Sequence, residues 1–410
     1  MASGSHARLR YAPRVDLDAF RWLLTDAGQQ LLGRAAHAYA DAAGDPVAAA
    51  SAVRRIEPDA ARATAALSQV QLRVRAVAKF GDDALRMYFV PDALEQATRP
   101  RIAAHRAARL AAFQPTSVVD LGCGIGGDLA AFARAGLTAA GVDLDPLRVE
   151  VARANLEALG LQGAVMVADS TQLDLDGFGA CFADPARRTS SGRVFDVNGW
   201  TPSWEFVLGL FARASVVKVA PGIPHDLLPE GVEAEWVSEA GDLKEAALWS
   251  PSLATARRRA TVIPASGGLA TLTDEDDPWQ GQAERPVRAM GGYLYEPDDA
   301  VIRSGLVTAV AAGVDGGLVD EKIAWVTADS AFRTPFARTY RVVEELPYRE
   351  KQLKAALRER GIGRLAIKPR GVQVVPEQLR KRLALSGDNE GTLVMTRVAG
   401  AGAAYLVEPL

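Results

Sequence analysis

The sequence predicts an α/β protein built on a parallel sheet, with a helical region before it and a small α+β region after it. Two β-branched residues, Val118 and Val119, and an acid run into a Gly-rich turn, and residues 129–135 have helical spacing and composition. Strand-like and helical segments then alternate, an arrangement typical of parallel strands joined by helical crossovers. Residues 15–115 contain almost no β-branched runs, whereas residues 335–410 mix strand and helix signals.

Length and composition limit the possible classes of protein. The chain has 410 residues, 49% of them apolar, which suits two or three domains with sizeable cores. It has no run of about 18 apolar residues, so we expect no transmembrane helix, and its start lacks the apolar segment of a signal peptide. Only Cys123 and Cys181 are present. We therefore expect no disulfide framework and a cytoplasmic location.

The turn at 122–127 predicts a ligand site. Gly122 and Gly124 permit positive φ and let a ligand approach the backbone closely. The helix that begins after them presents unpaired N–H groups, which attract polar and anionic groups. We therefore expect a small molecule to bind on this turn, next to the strand that carries Asp120.

Three further strand-like segments each end in an acid or have one just beyond their end. These acids are Asp143, Asp169 and Asp184. The carboxyl ends of parallel strands meet at one edge of the sheet, where open α/β sheets bind ligands. Asp143 lies about 20 residues beyond the first strand, the spacing at which an acid accepts hydrogen bonds from ribose hydroxyls. The sequence thus predicts a nucleoside-containing ligand.

The glycine pattern alone leaves one alternative. Gly122, Gly124 and Gly127 also satisfy the fingerprint of dinucleotide-binding proteins. An NAD-dependent dehydrogenase would, however, leave Asp169 and the Asp184-Pro185 pair without a role. This alternative is therefore disfavoured.

In order and spacing, Asp120-x-Gly-x-Gly, Asp143, Asp169 and Asp184-Pro185 resemble motifs I to IV of class I S-adenosylmethionine-dependent methyltransferases. The likeness covers about residues 85–265. The stretch ahead of the glycines, from Met87 to Pro91 and from Arg101 to His105, is similar to trimethylguanosine-synthase-like RNA methyltransferases. The resemblance implies a Rossmann-like, seven-stranded methyltransferase sheet with a late antiparallel hairpin, and S-adenosyl-L-methionine as the cofactor.

The resemblance also implies a set of cofactor contacts. Asp120 would face the methionine amine, and Gly122 and Gly124 would let the backbone approach the cofactor. Asp143 would bind the ribose, and Asp169 would accept a hydrogen bond from the adenine amino group. The implied set also includes Leu144 beside Asp143 and Ser170 beside Asp169. Two polar residues one helix ahead of the turn, Gln96 and Thr98, complete it; their alternative role is helix capping.

Asp184 is the candidate catalytic residue, together with Pro185 and Arg187. Its carboxylate would accept a hydrogen bond from the acceptor N–H and so raise electron density on the attacking nitrogen, or would act as a weak base. Amino-methyltransferases carry Asn/Asp-Pro-Pro and an aromatic residue here, whereas this chain has Asp-Pro-Ala-Arg. This departure argues against methylation of an exocyclic amine. Arg187 and Arg188 could hold a phosphate or carboxylate of the substrate, or could pair with local acids.

Covalent carbon methylation and metal catalysis are not expected. A cytosine-C5 or uracil-C5 enzyme needs a nucleophilic thiolate, but Cys181 should point into the sheet interior and Cys123 lies under the Gly-rich turn. The four histidines are widely scattered, and no His/Cys spacing indicates a metal site.

The C-terminal region is basic and suggests an anionic partner. Residues 331–410 hold 15 Lys and Arg against eight Asp and Glu, which leaves 32 against 42 in the rest of the chain. Such asymmetry indicates either a nucleic-acid partner or an ordinary solvated surface. The mixture of strands and helices after residue 335 resembles the THUMP-like domain of some bacterial methyltransferases. That resemblance implies an RNA substrate, with Lys368 and Arg370 as candidate substrate-binding residues.

The interpretation divides the chain into four regions. We expect a helical domain at 1–84, a methyltransferase domain at 85–265, a linker and accessory segment at 266–334 and a THUMP-like α+β domain at 335–410. About four or five helices should precede the sheet, and a hairpin is possible near 290–295. The predicted activity is direct methylation of a base in structured RNA, tRNA or rRNA. The alternatives are a methyltransferase for a small anionic molecule and a catalytically silent RNA-binding protein.

Overall fold

The computed structural model describes residues 16–43, 45–187, 199–282 and 284–410. It divides the chain into two units, Met1–Val217 and Lys218–Leu410. Each unit has its own sheet strands and helices, and each is described in turn.

Helices make up the first part of the first unit. Acidic N-caps start several of them: the Asp16 carboxylate accepts two backbone N–H bonds, and Asp59 does the same further along the chain. Within the described residues ahead of the sheet there are six α-helices, more than the four or five expected from the sequence. They are α1 (Leu17–Leu23), α2 (Asp26–Asp41), α3 (Pro46–Ile56), α4 (Ala60–Phe80), α5 (Pro91–Gln96) and α6 (Pro100–Ala111).

A parallel sheet follows in the same unit. Its strands run in the order β3-β2-β1-β4-β7, and every pair is parallel, as the alternation of strands and helices predicts. A two-stranded antiparallel ribbon, β5 with β6, comes after β4. The elements are β1 (Val118–Leu121), α7 (Gly127–Arg134), β2 (Ala139–Asp143), α8 (Pro146–Ala158), β3 (Ala164–Val167), β4 (Ala180–Ala183), β5 (Ala186–Arg187), β6 (Trp200–Thr201), α9 (Trp204–Leu210) and β7 (Ser215–Val219).

The second unit begins with mixed strands. The predicted late hairpin is confirmed: β8 (Glu233–Glu239) and β9 (Asp242–Trp249) pair antiparallel. The strand β10 (Arg258–Ile263) runs parallel to β8, and β11 (Ala270–Thr273) pairs antiparallel with β10. The strand β11 lies in the segment at 266–334 that was interpreted as a linker and accessory segment.

A seven-stranded sheet completes the second unit, in the order β13-β14-β12-β15-β18-β17-β16. The chain near 290–295 forms no hairpin of its own, because β12 pairs instead with β14 and β15. Strands on both sides of residue 335 therefore belong to one sheet. The elements are β12 (Tyr293–Pro297), α10 (Asp299–Ser304), α11 (Val307–Gly313), β13 (Gly317–Asp320), β14 (Ile323–Ala328), β15 (Ala337–Leu346), α12 (Glu350–Glu359), β16 (Ile362–Pro369), α13 (Pro376–Leu383), β17 (Asn389–Val398) and β18 (Ala401–Pro409).

The predicted fold class is confirmed: helices come first, a Rossmann-like α/β arrangement follows, and a second sheet lies at the C-terminus. None of the helices in the described ranges is both long and apolar enough for a bilayer span. Over the same residues, no group of three or more His, Cys, Asp or Glu side chains could hold a metal ion.

Candidate cofactor and active site

The Gly-rich turn between β1 and α7 forms an open cradle. Gly122 and Gly124 have φ of +131° and +54°, a range that L side chains rarely adopt. A Cβ built on either residue would meet no heavy atom within 4 Å, whereas one built on Gly126 would lie 3.2 Å from the Ala152 Cβ on α8. The first two glycines therefore leave room for a ligand at the backbone, and Gly126 allows close packing against α8.

Asp143 supports this turn from the end of the neighbouring strand. Its Oδ2 accepts a hydrogen bond from the Gly124 N–H at 3.0 Å, and its Oδ1 accepts one from the Asp145 N–H at 2.9 Å. The side chain is thus held by two backbone donors, and each oxygen keeps acceptor capacity. This geometry suits hydrogen bonds from the two hydroxyls of a ribose.

Asp120 is a buried carboxyl with unused capacity. The residue is 2% exposed, and its Oδ1 has no hydrogen-bond partner. Burial raises the pKa of Asp120 well above the usual range; Asp128 and Asp184 raise it further, and Arg106 opposes them. A buried carboxyl of this kind is complemented by a cation. The residue therefore fits the amine of the predicted cofactor.

The strand register brings the four predicted acids to one edge of the first unit's sheet. Asp120 lies in register with Phe182, two residues before Asp184. Asp143 ends β2 in register with the last residue of β3, two residues before Asp169. All of these strands are parallel, so their carboxyl ends share this edge.

Asp169 also has a local structural role. Its Oδ1 accepts hydrogen bonds from the Thr171 N–H at 2.9 Å and from the Thr171 hydroxyl at 2.7 Å, which lower the pKa of Asp169. It thereby caps the short 3-10 turn that starts at Ser170. Leu144 is 64% exposed beside Asp143. The adenine contacts expected of these residues stay predictions.

Gln96 and Thr98 lie where the sequence places them, at the end of α5 and one helix before the Gly-rich turn. Gln96 is exposed, whereas Thr98 is buried. Their contact with the cofactor stays a prediction.

The predicted catalytic segment follows β4. Asp184 is half-buried and Pro185 is buried. The field of Asp184 contributes to the raised pKa of Asp120, so the two carboxyl groups belong to one electrostatic environment. The backbone of Arg187 lies in β5, and Arg188 lies outside the described residues.

The two thiols are buried and protonated. Burial raises the pKa of Cys181 to about 11 and also raises the pKa of Cys123. The thiolate fraction at neutral pH is therefore small. Neither thiol is therefore activated as a nucleophile.

One charged pair beside the site was not predicted from the sequence. Arg106 on α6 is 2% exposed, forms an ion pair with Asp128 in the first turn of α7, and lies 4.6 Å from the Phe182 ring centroid. The available signal was its position on the apolar face of α6, between Ile102 and Leu110. A cation on such a face indicates a buried partner.

The two predicted substrate-binding cations of the second unit share one carboxylate. Lys368 Nζ lies 2.7 Å from Glu296 Oε2, and an Arg370 nitrogen lies 3.9 Å from Glu296 Oε1. Arg370 also donates a hydrogen bond to the Ala324 carbonyl at 2.7 Å and stacks over Trp325. Both cations are thus engaged within the protein, and their role in substrate binding stays a prediction.

More exposed cations lie on α12 and α13. The Lys354 ammonium donates a hydrogen bond to the Arg382 carbonyl at 3.0 Å, which joins the two helices. Some cations there have an acidic partner, such as Arg382 with Glu350 at 2.9 Å. We call this surface the basic helix pair; its exposed cations are Lys351, Arg358, Arg380, Lys381 and Arg382.

Comparison with family models identifies three regions. A methyltransferase domain matches residues 118–184, which carry the Gly-rich turn and the four acids. A THUMP domain-like model matches residues 337–409. A domain of unknown function matches residues 16–76 in the N-terminal helices.

Whole-chain comparisons agree with these matches. An uncharacterized S-adenosylmethionine-dependent methyltransferase of Mycobacterium tuberculosis, found in two strains, is 35% identical over 355 residues, which cover 82% of this chain and 95% of that protein. The crystal structure of a candidate methyltransferase from Porphyromonas gingivalis has a TM-score of 0.72 at 20% identity and covers 95% of this chain and 97% of that one. The second likeness concerns the fold alone.

Proposed function

The chain belongs to the S-adenosylmethionine-dependent methyltransferases, and on that premise we propose that it methylates a base in structured RNA, tRNA or rRNA. The observation that carries this proposal is a basic THUMP-like region in the same chain as a methyltransferase domain. We place the activity in the cytoplasm, in keeping with two buried free thiols.

The cofactor would lie along the edge of the first unit's sheet. Asp120 would pair with its methionine amine, Gly122 and Gly124 would admit it to the backbone, and Asp143 would accept hydrogen bonds from its ribose. Asp169 and Ser170 would meet the adenine, next to the exposed side chain of Leu144, with Gln96 and Thr98 as outer contacts. Bound S-adenosylmethionine supplies a methyl group on a sulfonium for in-line displacement.

Asp184 would prepare the acceptor. Its carboxylate would accept a hydrogen bond from the acceptor N–H, orient the nitrogen and raise its electron density, or take its proton as a weak base. Pro185, which is buried, would keep the backbone after Asp184 rigid. Arg187 and Arg188 would neutralise a nearby phosphate of the substrate.

The basic helix pair would bind the phosphates. The affinity of a protein for RNA depends on Lys and Arg side chains that contact the RNA phosphates, and it falls as the salt concentration rises. Proteins that recognise RNA by its shape rely on such phosphate contacts. Several cations of this surface are exposed, whereas Lys368 and Arg370 already share Glu296. We therefore assign the main phosphate contacts to α12 and α13 and a supporting role to Lys368 and Arg370.

A second candidate is a methyltransferase for a small anionic molecule. It is favoured by Arg187 and Arg188, which follow Asp184-Pro185 after one alanine, and by the departure of this motif from Asp-Pro-Pro-aromatic. Such an enzyme would not need the basic C-terminal region for substrate affinity. Activity that survives without salt-sensitive RNA binding would support it.

Mass spectrometry of nucleosides tests the proposal. Total RNA from a strain that lacks the gene would be incubated with the purified chain and isotopically labelled S-adenosylmethionine. We expect one labelled methylnucleoside, absent from the untreated RNA and from RNA treated with Asp184→Ala. Tight cofactor binding without any labelled nucleoside would contradict an RNA substrate.

A further inference from the structure

The Gly-rich turn is anchored in the core of the N-terminal helices. Ile125, in the middle of the turn, is 2% exposed and belongs to one apolar cluster with Phe20, Val70 and Phe89. Val151 and Ala154 of α8 belong to the same cluster. The conformation of the turn is therefore linked to helices that precede it by as many as 105 residues, the separation of Phe20 and Ile125.

Asn155 on α8 connects the same parts by hydrogen bonds. Its side-chain oxygen accepts a bond from the Tyr88 N–H at 2.6 Å, and its amide donates to the Tyr88 carbonyl at 3.0 Å and to the Ile125 carbonyl at 2.8 Å. The residue is fully buried. Both amide hydrogens and the oxygen are thus used by backbone groups of the turn and of the segment leading to α5.

A second buried amide gives a matched comparison. Gln69 on α4 accepts a bond from the Phe89 N–H at 2.9 Å and donates to the Phe89 carbonyl at 2.8 Å. Gln69 is fully buried like Asn155 and holds the next residue of the same segment. These hydrogen bonds do not involve the Gly-rich turn.

We propose that the N-terminal helices hold the Gly-rich turn in the conformation that binds the cofactor, with Ile125 and Asn155 as positioning residues. This gives a role to the domain matched at 16–76. Ile125 and its carbonyl lie between Gly124 and Gly126, whose positive φ values make the turn costly to order unless neighbours fix it. A turn that is already ordered loses less freedom when the ligand binds. The inference rests on the proposed assignment of this turn to the cofactor.

Calorimetric titration with S-adenosylhomocysteine tests the inference, at a temperature well below unfolding of each full-length variant. Asn155→Leu and Ile125→Ala should each weaken binding about tenfold, because part of the binding energy must now order the turn. The control variants Gln69→Leu and Val53→Ala remove comparable contacts within the same helical core. They should lower the melting temperature similarly but change the dissociation constant less than twofold.

Hydrogen exchange supplies a second measurement. If the turn and the helices are coupled, ligand binding must stabilise both, because coupling between two sites is reciprocal. S-adenosylhomocysteine should slow exchange of the Phe89 amide, whose hydrogen bond goes to Gln69 and not to Asn155, in the wild type. Asn155→Leu should abolish this protection. If Asn155 only stabilises the fold, Asn155→Leu should lower the melting temperature but leave the ligand-induced slowing of amide exchange unchanged.

The outcomes separate the inference from the site assignment. Loss of binding in Asp143→Ala with unchanged binding in Asn155→Leu and Ile125→Ala would overturn the role of the helices and leave the site standing. Unchanged binding in Asp143→Ala would overturn both. If Ile125→Ala does not fold, Ile125→Val takes its place, with an expected two- to threefold loss that Val53→Ala should not reproduce.

Discussion

The acidic edge of the first unit and the basic cluster of the second, formed by Lys368, Arg370 and their shared Glu296, use charge in opposite ways. Asp120 has a buried oxygen without a hydrogen-bond partner, and Asp143 is held in place by two backbone N–H groups. Lys368 and Arg370 instead share Glu296. Asp120 thus keeps an acceptor oxygen available, whereas these two cations are engaged within the protein.

This difference indicates which residues are best suited to test the two ligand assignments. A buried carboxyl oxygen without a hydrogen-bond partner is costly, which favours a functional role for Asp120. A cation paired with a carboxylate contributes less to phosphate binding because that pairing must be weakened first. The cofactor assignment is therefore best tested at Asp120, the catalytic assignment at Asp184, and the RNA assignment on the basic helix pair.

The largest expected effect concerns Asp184. Asp184→Ala should lower kcat by about 10²- to 10⁴-fold, the range typical for loss of a general base. The dissociation constant for S-adenosylmethionine should change less than twofold in a calorimetric titration. An equal loss of cofactor affinity would instead place this carboxylate in the cofactor site.

The next effect concerns the pH dependence at Asp120. The pKa of this carboxyl is raised in the free protein by burial, and Asp128 and Asp184 add to the rise. An amine binds the ionised form, so cofactor affinity should rise with pH until the carboxyl is ionised and should fall as the pH drops through that raised pKa.

Asp120→Asn should weaken cofactor binding by about 10- to 100-fold at high pH, which corresponds to roughly 1.4–2.8 kcal/mol. It should also flatten the pH profile of the dissociation constant. A wild-type profile that matches the variant's would remove Asp120 from the amine contact.

A smaller effect is expected at Glu296 in the basic cluster. Burial alone would raise the pKa of Glu296, but hydrogen bonds from Lys368 and Tyr340 and the nearby Arg370 lower it. A depressed carboxyl pKa stabilises the fold above the unfolded-state pKa and loses this contribution as pH falls through the folded-state pKa.

Glu296→Gln should therefore cost about 1 kcal/mol of unfolding free energy at neutral pH, a modest value because the group is partly exposed. The difference from wild type should shrink below about pH 4.5, near the pKa of an unperturbed Glu. Urea unfolding at several pH values measures this, with Tyr340→Phe as the control that keeps the charges. A constant difference across the range would exclude the ion pair as its cause.

The smallest effect separates the two groups of cations. Lys381→Ala on the basic helix pair should weaken binding of total tRNA about three- to fivefold and reduce the salt slope by about one. Lys368→Ala should change RNA affinity less and thermal stability more, because its ammonium lies 2.7 Å from Glu296. A larger loss of RNA affinity in Lys368→Ala than in Lys381→Ala would instead assign the main phosphate contact to Lys368.

The order of strands and helices around the site could be predicted from the sequence alone. Strand-like runs that end in acids, separated by helical segments, require parallel strands, and parallel strands place those acids at one edge. The structure has Asp120 and Asp143 at that edge, beside Gly122 and Gly124 with positive φ. These features follow from local periodicity and backbone sterics, which neighbouring residues determine.

Tertiary structure decided the partners of the polar side chains. Arg106 with Asp128, Asn155 with the carbonyl of Ile125, and Lys368 with Glu296 all join residues more than 20 positions apart. Each pairing depends on how faces pack, because a buried polar group accepts whichever partner packing brings within reach. The sequence therefore determined the edge at which the acids lie, and only packing decided which charges are left for a ligand.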